Sequence, residues 1–241
     1  MKKTFQKTLI AAAAGVALMS AAGTASANSL LFPYFTTTAG SSSILSLSMG
    51  TTAAAGGETL HYVYNYGSGC THFDGNGKMT ANDVMQHSIA SVAAGGFGKV
   101  VGTDTSTPFY FPLKDYGFLT VSTKGSATAR IAGEIIVYDP SNGYIVALPG
   151  LDGNNVDTTG AGEGDFSNIT DNLFNLTTYP SALVTTQWYG IVTGNMNAAI
   201  TAGANWTGKV NFTNNGVVYD NDEAPYSGTM TPSATCAAIL K

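Results

Sequence analysis

The chain has 241 residues, of which only 10% are charged, and a formal net charge of −5. A typical soluble domain has roughly a quarter of its residues charged, so this surface is expected to tolerate dense packing against further copies. Binding to nucleic-acid phosphates or anionic lipids needs clustered Lys and Arg, and this acidic chain has a single arginine, Arg130. The composition argues against both of these functions.

The first 27 residues have the organisation of a cleaved secretory signal peptide. Three lysines lie within the first seven residues, an apolar segment follows, and Ala25-Ser26-Ala27 forms a small-residue cleavage site. The apolar segment is shorter than the roughly 20 residues that a membrane-spanning helix needs. We therefore predict export to the cell surface or extracellular space, with the periplasm as the alternative. After cleavage the chain has no membrane span and forms one domain over residues 28–241.

An apolar segment that is typical of a β-strand, residues 29–38, begins the mature chain. Pro33 has no N–H to donate to a strand ladder, so this is predicted to be an edge strand or a strand broken at Pro33. The alternative is a strand donated to the sheet of a neighbouring copy. The candidate assembly residues in this strand are Leu30, Leu31, Phe32, Tyr34 and Phe35.

Short segments rich in aromatic and β-branched residues recur along the rest of the chain, and turn residues separate them. Pro140-Ser141-Asn142-Gly143 and Asn214-Asn215 are typical hairpin turns. The pattern predicts an antiparallel, jelly-roll-like β-sandwich. The predicted strands after the first are 43–49, 58–66, 99–102, 117–123, 127–138, 144–148, 181–193, 208–213, 216–220 and 234–240.

One α-helix is predicted around residues 81–94, packed against the sandwich. Thr80 and Asp83 match the spacing of a capping box, and Gly95-Gly96 would end the helix. The apolar residues that share one face at helical spacing are Val84, Met85, Ile89, Val92 and Ala93.

The segment before this helix, residues 72–83, has the length of a calcium-binding loop. With Gly77 as the turn glycine, Asp74, Asn76, Lys78 and Asp83 fall at ligand positions. This dozen residues resembles the calcium loops of EF-hand and dockerin-type modules, a resemblance that implies Ca²⁺ as a bound ion. The alternative is a tight turn that leads into a capped helix, with no cofactor. Weaker calcium candidates are Asp220 and Asp222.

Cys70 and Cys236 are the only two cysteines. Export places them in an oxidising compartment, where such a pair is expected to form one disulfide. This disulfide would join the C-terminal segment to the predicted loop and helix.

Motifs of common enzymes are absent from the sequence: it has no G-x-S-x-G, H-E-x-x-H or P-loop pattern. We therefore predict a non-enzymatic structural protein that assembles with copies of itself through sheet edges, as a surface layer, fibre or matrix component. The first alternative is a carbohydrate-binding module or adhesin, in which Trp188 and Tyr189 stack on a surface polysaccharide. The second is a secreted hydrolase, for which Glu58 and Glu134 are the carboxylates considered.

Overall fold

The computed structural model describes most of the chain between residues 28 and 153 and several short strands after it. The described residues are mainly β-structure, chiefly two five-stranded antiparallel sheets, and none of them lies in a helix. The mainly β, antiparallel class predicted from the sequence is confirmed. The described ranges are 28–37, 40–66, 71–90, 99–102, 116–124, 126, 128–140, 143–153, 166, 188–191, 207–209, 212–213, 218–219, 225–226, 229–230, 233–235 and 237–240.

The two large sheets divide the strands between them. The strands of sheet I are β1 (Ser29–Thr36), β3 (Glu58–Tyr66), β4 (Thr71–Met79), β7 (Tyr116–Thr123) and β10 (Leu151–Asp152). The strands of sheet II are β2 (Ser42–Met49), β5 (Val84–Ala90), β6 (Lys99–Gly102), β8 (Ile131–Asp139) and β9 (Tyr144–Pro149). Sheet I has the order β10-β1-β7-β3-β4, and sheet II has the order β6-β5-β2-β8-β9. Strand β9 is therefore at one edge of sheet II.

A single hydrophobic cluster contains buried side chains from both sheets. Sheet I contributes Phe32 and Tyr64 among others, and sheet II contributes Leu47 and Ile135. The Tyr62 hydroxyl crosses from sheet I and donates to the Met85 sulfur of sheet II at 3.2 Å. The two sheets therefore pack face to face over one core.

The central strands of sheet I are largely buried on both faces, whereas the outer face of sheet II is partly exposed. Val63 and Thr120 pair in register on the outer face of sheet I, and both are buried. On sheet II, β2 alternates strictly between buried residues and partly or fully exposed ones, as its period-two sequence predicts. The outer face of sheet II presents Ile44, Val84, Tyr138 and Ile145 as exposed apolar residues.

Strand β1 is irregular at Pro33, and it lies between β10 and β7, so the predicted alternative of an edge strand is wrong. Its register against β7 shifts between Phe32 and Phe35, which is the geometry of a β-bulge. The shift reverses the alternation, so that Phe32 before the bulge and Phe35 after it both lie in the core. Tyr34, within the bulge, is only half-buried.

The helix predicted over residues 81–94 is wrong for its described part. Residues 84–90 form strand β5, with Met85, His87 and Ile89 buried and the residues between them facing outward. The capping-box residues form a turn instead: the Asp83 N–H donates to the main-chain oxygen of Thr80 at 3.3 Å. Residues 91–94 lie outside the described ranges.

The hairpin predicted at residues 140–143 is confirmed, because β8 and β9 pair from Asp139↔Tyr144 onward. Gly143 has a φ of 74°, a left-handed conformation that glycine adopts without a steric cost.

The hairpin predicted at Asn214-Asn215 is wrong. The strands on its two sides, β13 (Phe212–Thr213) and β14 (Val218–Tyr219), pair instead with β16 (Thr229–Met230) and β15 (Pro225–Tyr226).

The remaining strands form a small antiparallel sheet near the C-terminus. They are β11 (Trp188–Ile191), β12 (Thr207–Lys209), β17 (Ser233–Thr235) and β18 (Ala237–Leu240). Their order is β11-β18-β17-β12. Within the described residues, no helix is long and apolar enough to cross a membrane.

Candidate functional site

Among the described residues, strand β9 is an uncharged strand at an open edge of sheet II. Its sequence is YIVALP, and it pairs with β8 on one side and with no described strand on the other. Ile145 is 49% exposed and Val146 is 36% exposed. Proteins usually protect such edges with charges, especially lysine, and β9 has none. An exposed apolar edge of this kind is a template for pairing with another strand.

The ladder between β8 and β9 shows which main-chain groups of β9 are open. The Gly150 N–H donates to the Gly133 oxygen at 2.9 Å, just beyond the register pair Glu134↔Pro149. Hydrogen-bonded pairs alternate along an antiparallel ladder, so Tyr144, Val146 and Leu148 bond to β8. Ile145, Ala147 and Pro149 then direct their main-chain groups away from β8. The one residue without an N–H, Pro149, falls on this open side.

A cluster of four half-buried tyrosines lies at the first residue of β9. The Tyr34 and Tyr144 hydroxyls are 3.2 Å apart. The Tyr34 ring packs edge-to-face on the Tyr189 ring at a centroid distance of 4.5 Å. The Tyr189 ring also meets the Tyr116 ring at 5.9 Å. We call these four residues the tyrosine cluster; it joins β1, β7, β9 and β11.

The tyrosine cluster depends on the bulge in β1, because bulges re-aim a side chain relative to a regular strand. Burial raises the pKa of Tyr144, and the hydrogen bond to Tyr34 and the nearby Asp139 raise it further. The Tyr144 phenol is therefore neutral at physiological pH. The hydrogen bond between Tyr34 and Tyr144 attaches the start of β9 to sheet I and leaves the rest of the strand open.

Glu134 is a buried carboxyl group beside the open edge. It lies in register between Ser46 of β2 and Pro149 of β9 and is 7% exposed. Its Oε2 atom is buried and has no hydrogen-bond partner among the described residues. Burial raises the pKa of Glu134, since the charged form loses its hydration.

Glu58, the other carboxylate considered for a hydrolase, is in β3 of sheet I, so Glu58 and Glu134 lie in different sheets.

The predicted calcium ligands lie on a strand and a turn, where a loop and a helix were expected. Asp74, Asn76 and Lys78 fall at alternate positions of β4, opposite Val63, His61 and Thr59. Asp83 lies in the turn after β4, and its Oδ1 accepts the N–H of Val84 at 2.9 Å. Among the residues described, no three His, Cys, Asp or Glu side chains converge as a metal site. Calcium binding stays a prediction.

Of the remaining predicted site residues, four lie outside the described ranges and two lie in β11. Asp220, Asp222, Cys70 and Cys236 lie outside the described residues, so the weaker calcium site and the disulfide stay predictions. Trp188 and Tyr189 are adjacent in β11, and Tyr189 belongs to the tyrosine cluster.

The candidate assembly residues of β1 are part of the fold of their own chain. Leu30, Leu31, Phe32 and Phe35 are completely buried, and β1 pairs with β7 on both sides of its bulge. Tyr34 alone among them is half-exposed. In the folded chain, β1 therefore contributes to the core, and β9 provides the more exposed edge.

Sequence reasoning did not single out Tyr116 and Tyr144 of the tyrosine cluster, or Ile145 and Val146 of strand β9. The absence of charge in YIVALP was a usable signal, since edge strands normally have charged residues. No family model matches the sequence, and no curated protein or solved structure matches it.

Proposed function

We propose that this protein is an exported structural protein of the cell surface or extracellular matrix that assembles with copies of itself through sheet edges. Its two packed sheets would form a jelly-roll-like β-sandwich within a single domain, residues 28–241. The observation that supports assembly best is the open, uncharged edge of β9, with Ile145 and Val146 exposed. A chain with 10% charged residues also offers little electrostatic resistance to close packing.

The mature chain, residues 28–241, is expected to form oligomers whose mass increases with protein concentration. Sedimentation velocity over a concentration series, followed by electron microscopy of the largest species, measures this directly. A protein that stays strictly monomeric at high concentration, with and without calcium, would contradict the proposed function.

Calcium is proposed as a supporting ion for the assembly. We expect calcium to raise the melting temperature of the mature protein, and Asp74→Ala to remove this increase because it deletes a carboxylate ligand. Asp152→Ala is the matched control, since it deletes an exposed carboxylate outside the predicted ligand set. An unchanged melting temperature in calcium would remove the ion from the proposal and leave assembly standing.

The tyrosine cluster favours a second candidate function, a carbohydrate-binding module or adhesin. Its half-buried rings and hydroxyl groups are the kind of surface on which sugar rings stack. For this function we expect binding on a glycan array that Trp188→Ala and Tyr189→Ala each abolish without a change in circular dichroism. Tyr138→Ala is the control, because Tyr138 is exposed outside the cluster. Binding that persists in both test variants would exclude this candidate.

A further inference from the structure

We propose that β9 of one copy pairs antiparallel with β9 of a second copy, which joins the two sheets II into one continuous sheet. This inference rests on the proposed function and names the surface and the partner through which assembly begins. Each copy contributes the same six residues, Tyr144–Pro149, so the contact is a two-fold interface in which one surface patch meets itself.

The open main-chain groups of β9 define one register for this pairing. Ile145 and Ala147 direct their N–H and C=O groups away from β8, as the Gly150–Gly133 hydrogen bond requires. If Ile145 pairs with Ala147 of the second copy, and Ala147 with its Ile145, all of these groups form hydrogen bonds. The two Val146 residues then face each other across the two-fold axis. Pro149, which lacks an N–H, falls opposite the turn residue Gly143 and blocks nothing.

The chemistry of β9 favours a second copy as the occupant of this edge. Like charges directly opposite each other destabilise a strand pair, and a strand that meets itself always opposes like with like at its centre. β9 contains no charged residue, so self-pairing brings no charges together, although the mature chain is acidic overall. The pairing also covers Ile145 and Val146, which are partly exposed in the single chain.

The hydrogen bond between Tyr34 and Tyr144 supports the pairing by holding one end of the strand. A strand that is already ordered loses less conformational entropy on association than a mobile one. The hairpin with β8 holds the full length of β9 on its other side. The edge is therefore preformed for strand addition.

Cysteine cross-linking of the full mature chain tests both the edge and the register. Facing residues of a non-hydrogen-bonded antiparallel pair have Cα atoms about 4.5 Å apart, within the range of about 4.4–6.8 Å that a disulfide needs. Val146→Cys is therefore expected to form a covalent dimer under mild oxidation, on a non-reducing gel. The wild-type chain controls for the two native cysteines. Val84→Cys is the matched control, because Val84 is 55% exposed on sheet II but far from β9 in the strand order.

A second variant measures the same contact without cysteine chemistry. Ile145→Lys places a charge on each strand of the pair and is expected to raise the dimer dissociation constant about tenfold or more. Val84→Lys, on the same face of sheet II, is expected to leave it unchanged. Sedimentation velocity gives the constants, and circular dichroism checks folding.

The outcomes separate this inference from the proposed function. If the wild-type chain assembles but Val146→Cys forms no more covalent dimer than Val84→Cys, and Ile145→Lys assembles normally, the β9 pairing is wrong and another edge mediates assembly. Cross-linking through Ala147→Cys instead of Val146→Cys would overturn the register. A wild-type chain that never assembles would overturn the proposed function together with the pairing.

Discussion

Gly117→Ala is expected to abolish folding of the mature chain. Gly117 lies in β7, between Phe35 of β1 and Tyr66 of β3. A Cβ atom at this position would overlap the main-chain oxygen of Asn65 and come within 2.9 Å of the Phe35 ring. The oxygen belongs to the neighbouring strand, so the clash is relieved only if β3 and β7 move apart at this end of their ladder. We expect a destabilisation of more than about 4 kcal/mol, which is exceptional for a single substitution.

Urea unfolding followed by circular dichroism measures this loss, together with the soluble yield of the variant. Gly56→Ala is the matched control, because a Cβ atom there meets nothing within 4 Å. That control is expected to change the unfolding free energy by less than about 0.5 kcal/mol. Equal stability of the two variants would mean that β3 and β7 are not neighbours as described.

Acid is expected to destabilise the fold through His87. This side chain is 2% exposed and shares a hydrogen bond with the Tyr64 hydroxyl. The Tyr62 ring packs edge-to-face against it at 5.3 Å. Burial also raises the pKa values of Tyr62 and Tyr64, so the two phenols stay neutral. They offer no negative charge that would stabilise an imidazolium.

The direction of the pH effect follows from the lowered pKa. Burial lowers the pKa of His87 from 6.5 to about 3, so between these values the unfolded chain binds a proton that the folded chain does not. Stability contributed by the neutral imidazole is present above pH 6.5 and is lost as the pH falls toward 3. Each pH unit corresponds to about 1.4 kcal/mol, which gives a loss of about 3 kcal/mol between pH 6.5 and pH 4.

Urea unfolding at a series of pH values tests this effect, with His87→Gln as the comparison. Glutamine keeps a hydrogen-bonding group for Tyr64 but does not titrate, so the variant is expected to lose less stability in acid than the wild type. Partial loss of hydration raises the pKa of Glu134 and of Asp152, so protonation of these carboxyl groups favours the folded state in acid. Subtracting the unfolding free energy of His87→Gln from that of the wild type at each pH removes the contributions of Glu134 and Asp152. Parallel curves for the two proteins would show that His87 is not buried in its neutral form.

Strand β5 shows why the spacing of apolar residues could not distinguish a helix from a strand here. Met85 and Ile89 fit both a helical face and a strand face, because spacings of four residues satisfy both periods. The residue that decides between them is His87, which the helical interpretation left off the apolar face. His87 is buried because Tyr64, on the other sheet, provides its hydrogen bond. No local pattern predicts a partner of this kind.

Only the local features of the candidate site could be predicted from the sequence. The hairpin that contains β9 follows from its turn residues and its alternating neighbours, which are local features. The tyrosine cluster does not, since Tyr34 and Tyr144 are 110 residues apart in sequence. The missing N–H of Pro33 predicted an edge strand or a break at this residue, but the bulge itself and the direction in which it turns Tyr34 were not predicted.

The sequence by itself determined that this is an antiparallel β protein with low charge, a strand irregular at Pro33 and a hairpin over residues 139–144. These properties follow from side-chain alternation, turn chemistry and composition, which act over a few residues. The tertiary structure alone decided that residues 84–90 form a strand, that β9 lies at an open edge among the described strands, and that four tyrosines meet beside it. Each of these depends on which distant strands pair and pack, because burial and edge position are properties of the whole sheet.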